Sequence, residues 1–245
     1  MGAVILTVHA GKGGVGKTTL AYELATARDD ILIDLDPEMG ATKMWGDRPE
    51  DRKTHMLMDC LETGALPRPK SRPGQPTLVP ASSALADNGL GIEEIAATLV
   101  SWAEAWAPRN VVLDTHPGFG ADITWGALKA ANLVLVPAVP DMREMESLRH
   151  NLVRLTELRF RLALVPNKVA GKIPARLADW LEALSEEFNA PMIGMVSEYR
   201  FLRQRARRRA VVAEPRPGRS VAEAAAEYRA VAEAVDKYIV GRREN

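Results

Sequence analysis

The sequence predicts an α/β fold: a mainly parallel, doubly wound sheet flanked by helices on both faces. Three observations predict it. Short apolar runs, Val4 to Val8, Ile31 to Leu35, Val111 to Leu113 and Leu133 to Val136, alternate with stretches of helical period. Runs this uniformly apolar read as strands buried on both faces, as parallel strands are. Acids stand at the carboxyl ends of two of them, Asp34 within the last residues of the second and Asp36 directly after it, and Asp114 directly after the third. The carboxyl ends of strands are where open α/β sheets bind ligands. The first run leads into Gly11-Lys12-Gly13-Gly14-Val15-Gly16-Lys17-Thr18-Thr19, and a helical pattern with Leu20 and Leu24 follows.

At 245 residues, 47% hydrophobic and 26% charged, the chain suits one sizeable domain over residues 1–245. Formal net charge is zero, so any attraction to nucleic acid must come from local clustering. The single Cys60 excludes an internal disulfide framework or a cysteine zinc site and fits a reducing, cytoplasmic setting. The chain opens on a strand without a charged leader, and no apolar run approaches the roughly 20 residues of a membrane span.

The loop from Gly11 to Thr19 has the strand–loop–helix setting of a phosphate-binding loop. Gly13, Gly14 and Gly16 let backbone N–H groups approach an anion, and the helix opening near Thr18 adds its positive end. Lys17 is placed for the β- and γ-phosphates and the Thr18 hydroxyl for Mg²⁺. Lys12 is not required by that general pattern. The run Lys12 to Thr19 resembles the deviant phosphate loop of the ParA/MinD superfamily of ATPases. The resemblance implies ATP and Mg²⁺ as ligands. It also implies a sandwich homodimer in which Lys12, the signature lysine, reaches the nucleotide of the other copy.

Next in order, Asp34-Leu35-Asp36-Pro37 is similar to the family's first switch segment, with Glu38 where glutamine is usual. By that match Asp36 positions the attacking water and contacts Mg²⁺ through water; by spacing alone, Asp34 fits the start of a turn equally well. Residues 56–61 fit one amphipathic helix. Pro67 to Pro76, with Arg68, Lys70 and Arg72 interspersed, reads as an exposed loop, and its basic side chains fit a solvated surface better than a DNA contact. Leu78 to Ser82 resembles a family strand ending in Pro-Ala-Ser. A helical stripe runs through Ile92, Ile95, Leu99, Trp102 and Trp106. Asn110 to Asp114 is a strand whose terminal carboxylate is suited to the hydration shell of Mg²⁺. The segment Thr115 to Gly120 resembles the second switch, with His116 in place of a proline; as a lone histidine it reads as an ordinary loop residue.

Leu133 to Pro137 is a further strand, and the helix after it carries Met145, Leu148, Leu152 and Leu155 on one stripe. Phe160 to Val165 is a strand that ends near Asn167. The resemblance makes Asn167 an adenine contact; the residue fits a turn-former as well. A helix begins near Pro174, and Met192 to Val196 reads as the last strand. The segment 200–219 is basic: Arg200, Arg203, Arg205, Arg207, Arg208 and Arg209 lie within ten positions, with Phe201, Leu202, Ala206 and Ala210 as an apolar stripe. Six guanidinium groups without interleaved acids suit a duplex phosphate backbone, bound without sequence reading. Ser220 and Glu223 fit a capping box opening the C-terminal helix over 220–240.

The resemblance implies a ParA-like ATPase for plasmid or chromosome partition, associated with the nucleoid. Its ATP-bound dimer holds nonspecific DNA, and a centromere-binding, ParB-like partner stimulates the hydrolysis that releases it. Ile239 and Val240 are too few for a membrane-binding tail, so no membrane partner is expected. Two alternatives share the motifs: a MinD-like positioning ATPase, and a metabolic ATP-dependent transferase or ligase on the same fold.

Overall fold

The computed structural model describes residues 2–46, 56–87, 89–157, 159–204 and 209–241. Six strands form one sheet in the order β3-β2-β4-β1-β5-β6, with every paired strand parallel. The strands are β1 (Ile5–Val8), β2 (Ile31–Leu35), β3 (Thr77–Val79), β4 (Val111–Thr115), β5 (Leu133–Ala138) and β6 (Leu162–Pro166). Successive crossovers leave β1 on both sides, so the order reverses beside it, and that reversal opens a crevice at the carboxyl edge. The register aligns Val8 with Asp114 and Asp114 with Asp34, so both acids reach the edge that the loop after β1 leaves from.

Alternation along the buried strands divides the core. Leu6, Val8, Leu32, Val112, Leu133 and Leu135 face α1 (Lys17–Ala27) and α9 (Arg219–Gly241). Ile5, Ile31, Ile33, Val111 and Leu113 face α3 (Met56–Thr63), α4 (Ile92–Ala105) and α5 (Asp122–Ala130). Val134, Val136, Leu162 and Leu164 pack beneath α6 (Met142–Glu157) and α7 (Ala175–Glu187). Each of these aliphatic side chains contributes about 1.5–3 kcal/mol by leaving water. Helices on both faces explain why the strands are apolar throughout.

Two expectations need correction. Met192 to Val196 is not a strand: Gly194 takes φ +68°, and only isolated bridges join this stretch to its neighbours. Hydrogen bonds from Ile193 N–H to Leu164 O and from Val196 N–H to Pro166 O still lay it alongside β6. The capping box of the last helix does not form, because α9 opens at Arg219 and Glu223 accepts from Arg219 Nε at 2.9 Å. Two helices were not expected: α5, and α2 (Gly40–Trp45), which continues directly from the first switch segment. Among the described residues, no helix is long and apolar enough to cross a membrane.

Candidate functional site

The loop after β1 becomes the N-terminus of α1. Gly16 is the N-cap residue with φ +96°, and no side chain caps the helix, so the first-turn N–H groups stay available to an anion. A Cβ at Gly16 would stand 2.4 Å from Nδ2 of Asn167, so only glycine fits. Asn167 Nδ2 donates to Val15 O at 2.7 Å, and Lys168 Nζ donates to Gly14 O. Asn167 therefore braces the loop from the end of β6, and it also lines the cleft, together with Gly14, Gly16, Lys17, Thr18 and Thr19. The cleft measures about 280 Å³ and is also lined by Ser197, Tyr199, Leu202 and Tyr228. Those four residues carry no motif and were not legible in the sequence.

Lys17 is buried, at 6% exposure. Burial pushes its ammonium below the usual lysine range, while the carboxylates of Asp114, Asp36 and Glu38 hold it up. Asp114 is fully buried, and neither carboxylate oxygen has a hydrogen-bond partner among the described residues. Its pKa is raised well above the usual range by burial and then by Asp34; Lys17 and the Thr18 hydroxyl oppose the shift. A carboxylate this poorly satisfied beside a lysine and a threonine hydroxyl is a site held ready for positive charge.

Asp34 has a different task from Asp36. Its oxygens accept from Asp36 N–H at 3.2 Å and Thr42 N–H at 2.8 Å, and burial raises its pKa to about 6. It builds the turn that aims Asp36. The hydroxyl of Thr42 accepts from Ala81 N–H at 2.9 Å and ties the start of α2 to the end of β3. Asp36, 6% exposed, accepts from Glu38 N–H at 2.9 Å, and the same oxygen lies 3.0 Å from His116 Nδ1. His116 is thus not an ordinary loop residue: it joins the segment after β4 to the segment after β2. The two residues are 80 positions apart, and nothing in the sequence signals the pairing.

Lys12 does not line the cleft. It is half-exposed and its ammonium pairs with Glu144 at 2.6 Å, at the start of α6. Of the arginines, Arg200 is exposed on the short helix α8 (Arg200–Gln204), and Arg209 is exposed beside buried Ala210. Arg203 lies on α8, and nothing is described of its side chain. Arg205, Arg207 and Arg208 lie outside the described residues. Phe201 and Leu202 pack against the core, as their spacing predicts.

One buried histidine escaped the sequence reading. His9, at the end of β1, contacts Thr115 Oγ1 through Nδ1 at 3.0 Å, and that hydroxyl donates to Val8 O at 3.1 Å. The hydroxyl proton is committed, so His9 Nδ1 carries the hydrogen, and Nε2 has no partner among the described residues. Burial, then Lys17, lowers its pKa to about 3. The folded value lies below the ordinary 6.5, so neutral His9 favours the fold above pH 6.5, and that contribution is lost as pH falls toward 3. Between pH 6.5 and 4 the loss is about 3 kcal/mol. Urea unfolding at both pH values is expected to show the native chain more acid-sensitive than His9→Asn by that amount; equal sensitivity would contradict a buried neutral ring.

With this geometry in place, comparison with known proteins is informative. A model of the CobQ/CobB/MinD/ParA nucleotide binding domain matches residues 6–209. The chromosome-partitioning ATPase Soj of Thermus thermophilus is 33% identical over 161 residues, 60% of this chain and 59% of Soj, so the match spans under two thirds of that relative. A variant of McdA from Cyanothece, solved as its ATP complex, is 18% identical at a TM-score of 0.73, over 98% of this chain and 96% of that one. The septum site-determining protein MinD of Pyrococcus horikoshii, complexed with Mg-ADP, is 18% identical at a TM-score of 0.72, over 96% of this chain and 97% of that one. At such identities the two structures show a shared fold. The family match runs from β1 to Arg209, through the braced glycine loop and both carboxylate-bearing strand ends, and the chain belongs to the CobQ/CobB/MinD/ParA nucleotide-binding family.

Proposed function

We propose that the protein is a ParA-like ATPase that uses ATP and Mg²⁺ to switch between free and DNA-bound states in plasmid or chromosome partition. The observation that carries this reading is the convergence of Lys17, Thr18, Asp36 and the fully buried, poorly satisfied Asp114 at an uncapped helix N-terminus. That donor set fits Mg²⁺: hard oxygens, one of them that buried carboxylate. Among the described residues no group of three or more His, Cys, Asp or Glu is placed to hold a metal alone. This agrees with an ion shared between the chain and substrate phosphates. Bound there, Mg²⁺ would supply positive charge against the phosphates, held by Thr18, Asp36 and Asp114.

The chain's own residues do the rest. Gly11, Gly13, Gly14, Val15 and Gly16 wrap the phosphates with main-chain N–H groups, and Thr19 extends the helix start. Lys17 bonds the β- and γ-phosphates; its buried position beside Asp114 keeps it rigid. Thr18, Asp36 and Asp114 hold the cation directly or through water. Asn167, which lines the cleft, would contact the base. Asp36 orients the attacking water, whose oxygen displaces ADP from the γ-phosphorus. Lys12 acts on the nucleotide of a second copy. The segment 200–219 binds nonspecific DNA when that dimer is formed, and a ParB-like partner accelerates its release. The whole is read as one domain, 1–245, working at the nucleoid in the cytoplasm.

Soj is described as a chromosome-partitioning ATPase, which supports partition over other uses of the family fold. The test is binding of a labelled duplex with a non-hydrolysable ATP analogue. Affinity is expected to fall by about 10³-fold or more between 50 and 200 mM salt, and to be lost with ADP. Equal binding with ADP, or a flat salt response, would refute the DNA reading, and nucleotide-dependent flotation with liposomes would favour the MinD-like alternative.

A further inference from the structure

The geometry points to a composite DNA-binding face: the loop of Arg68 and Arg72 docks against Arg209, and together they form one phosphate-binding surface. This rests on the DNA reading above and deepens it. The loop looks like a solvated excursion in sequence, but the structure builds it into a defined place. Lys70 pairs with Leu78 through two main-chain hydrogen bonds of 2.7 and 2.8 Å, antiparallel to β3. Arg68 and Arg72, two residues to either side of this bridge, are both exposed. Arg72 stacks over the indole of Trp45, its Cζ 3.9 Å from the ring, and Nη1 donates to Trp45 O at 3.2 Å.

Arg209 completes the arrangement from the other end of the sequence. Ala210 N–H donates to Gly74 O at 2.8 Å, which fastens the chain beside Arg209 to the loop. Gly74 has φ +76°, and a Cβ there would lie 2.7–2.9 Å from the Cγ, Cζ and Nε of Arg209. The loop is therefore shaped to let Arg209 lie across it at Gly74, two positions along the chain from Arg72, while Nη1 of Arg209 donates to Ala213 O at 3.3 Å. The far side of this junction is tied to α1: Val211 and Val212 N–H donate to buried Glu23 at 3.1 and 3.2 Å. Trp45, the platform under Arg72, ends α2, whose first residue, Gly40, abuts the Thr18 side chain. The face is thus one short helix away from the phosphate site.

A duplex backbone fits this face better than a lipid surface. Arg72 and Arg209 are stacked or hydrogen-bonded through part of the guanidinium, which orients the remaining N–H groups for phosphate at reduced entropic cost. Among the described residues of the loop, the large exposed hydrophobic is Leu66. One leucine does not supply the apolar helix face that membrane attachment needs.

The test measures duplex affinity against salt, using fluorescence anisotropy with a non-hydrolysable ATP analogue and Mg²⁺. Arg68→Ala/Arg72→Ala is expected to weaken binding at least tenfold near 100 mM salt and to flatten the log–log salt slope by about two. Arg68→Ala, which leaves the Trp45 stack intact, is expected to flatten it by about one. ATP hydrolysis without DNA is expected to be unchanged in both. A wild-type slope in both variants would overturn the composite face while leaving the DNA reading intact. No duplex binding by the native chain would sink both. Loss of binding to phosphatidylglycerol vesicles in the double variant, with duplex binding unchanged, would reassign the face to lipid and overturn it as well.

Discussion

Replacing Lys12 with alanine is expected to lower ATP turnover by roughly 10³-fold, about 4 kcal/mol of transition-state stabilisation, while ATP affinity stays within about threefold. The asymmetry follows from placement. Lys17 lines the cleft and is buried against it, whereas Lys12 is half-exposed and pairs with Glu144. Within one copy, Lys12 therefore has little to offer a bound nucleotide. In the proposed sandwich it meets the triphosphate of the other copy, where a cation delivered in trans acts on developing charge at the transition state. Such a group changes the barrier more than it changes ground-state affinity. The check pairs steady-state hydrolysis with light scattering at saturating ATP and Mg²⁺. The variant is expected to be monomeric and inactive, yet to bind ATP. Full activity would remove the trans role. The Lys12–Glu144 pair is exposed enough to contribute at most about 1 kcal/mol. Glu144→Gln is therefore expected to ease dimer formation by no more than about fivefold.

Much of this site was legible in the sequence because its chemistry is local. Gly11 to Thr19 is contiguous, and strand, loop and helix follow in the order that a phosphate site needs. Apolar runs reaching Asp36 and Asp114 could be read as strands, and parallel pairing then brings their ends together, as the register of Asp34 with Asp114 and Asp114 with Val8 does. What escaped is long-range or uses residues without a motif. His116 meets Asp36 only because two switch segments converge across the crevice. Asn167, at a strand end, was readable as either turn or ligand; it braces Val15 O while lining the cleft. The loop at 67–76 looked solvated because prolines and arginines dominate its composition, yet Gly74 and Arg209 are fitted to each other. Met192 to Val196 carried strand-like composition, and a single glycine at φ +68° was enough to stop it pairing continuously.

Replacing Asp36 with alanine is expected to slow hydrolysis by roughly 10²–10³-fold and to leave the proposed ATP-bound dimer intact, so that it accumulates. The carboxylate sits where three elements meet: the end of β2, the Glu38 N–H that it accepts, and His116 of the second switch. Its neighbours Asp34 and Thr42 form the turn independently, through Asp34 accepting from the N–H groups of Asp36 and Thr42. Removing the Asp36 side chain therefore deletes one acceptor without dismantling the segment. In the proposed site ATP is held by Lys17 and the main chain of Gly13 to Thr18, none of which hydrogen-bonds the Asp36 carboxylate. Slow chemistry with preserved binding separates a water-positioning role from a structural one. Asp36→Asn sharpens the distinction, because it can still accept from Glu38 N–H while carrying no charge. If Asp36 orients water and balances the cation, the asparagine variant is as slow as the alanine variant in single-turnover hydrolysis. If the carboxylate merely holds the turn, asparagine restores native turnover, and the trapped dimer never forms.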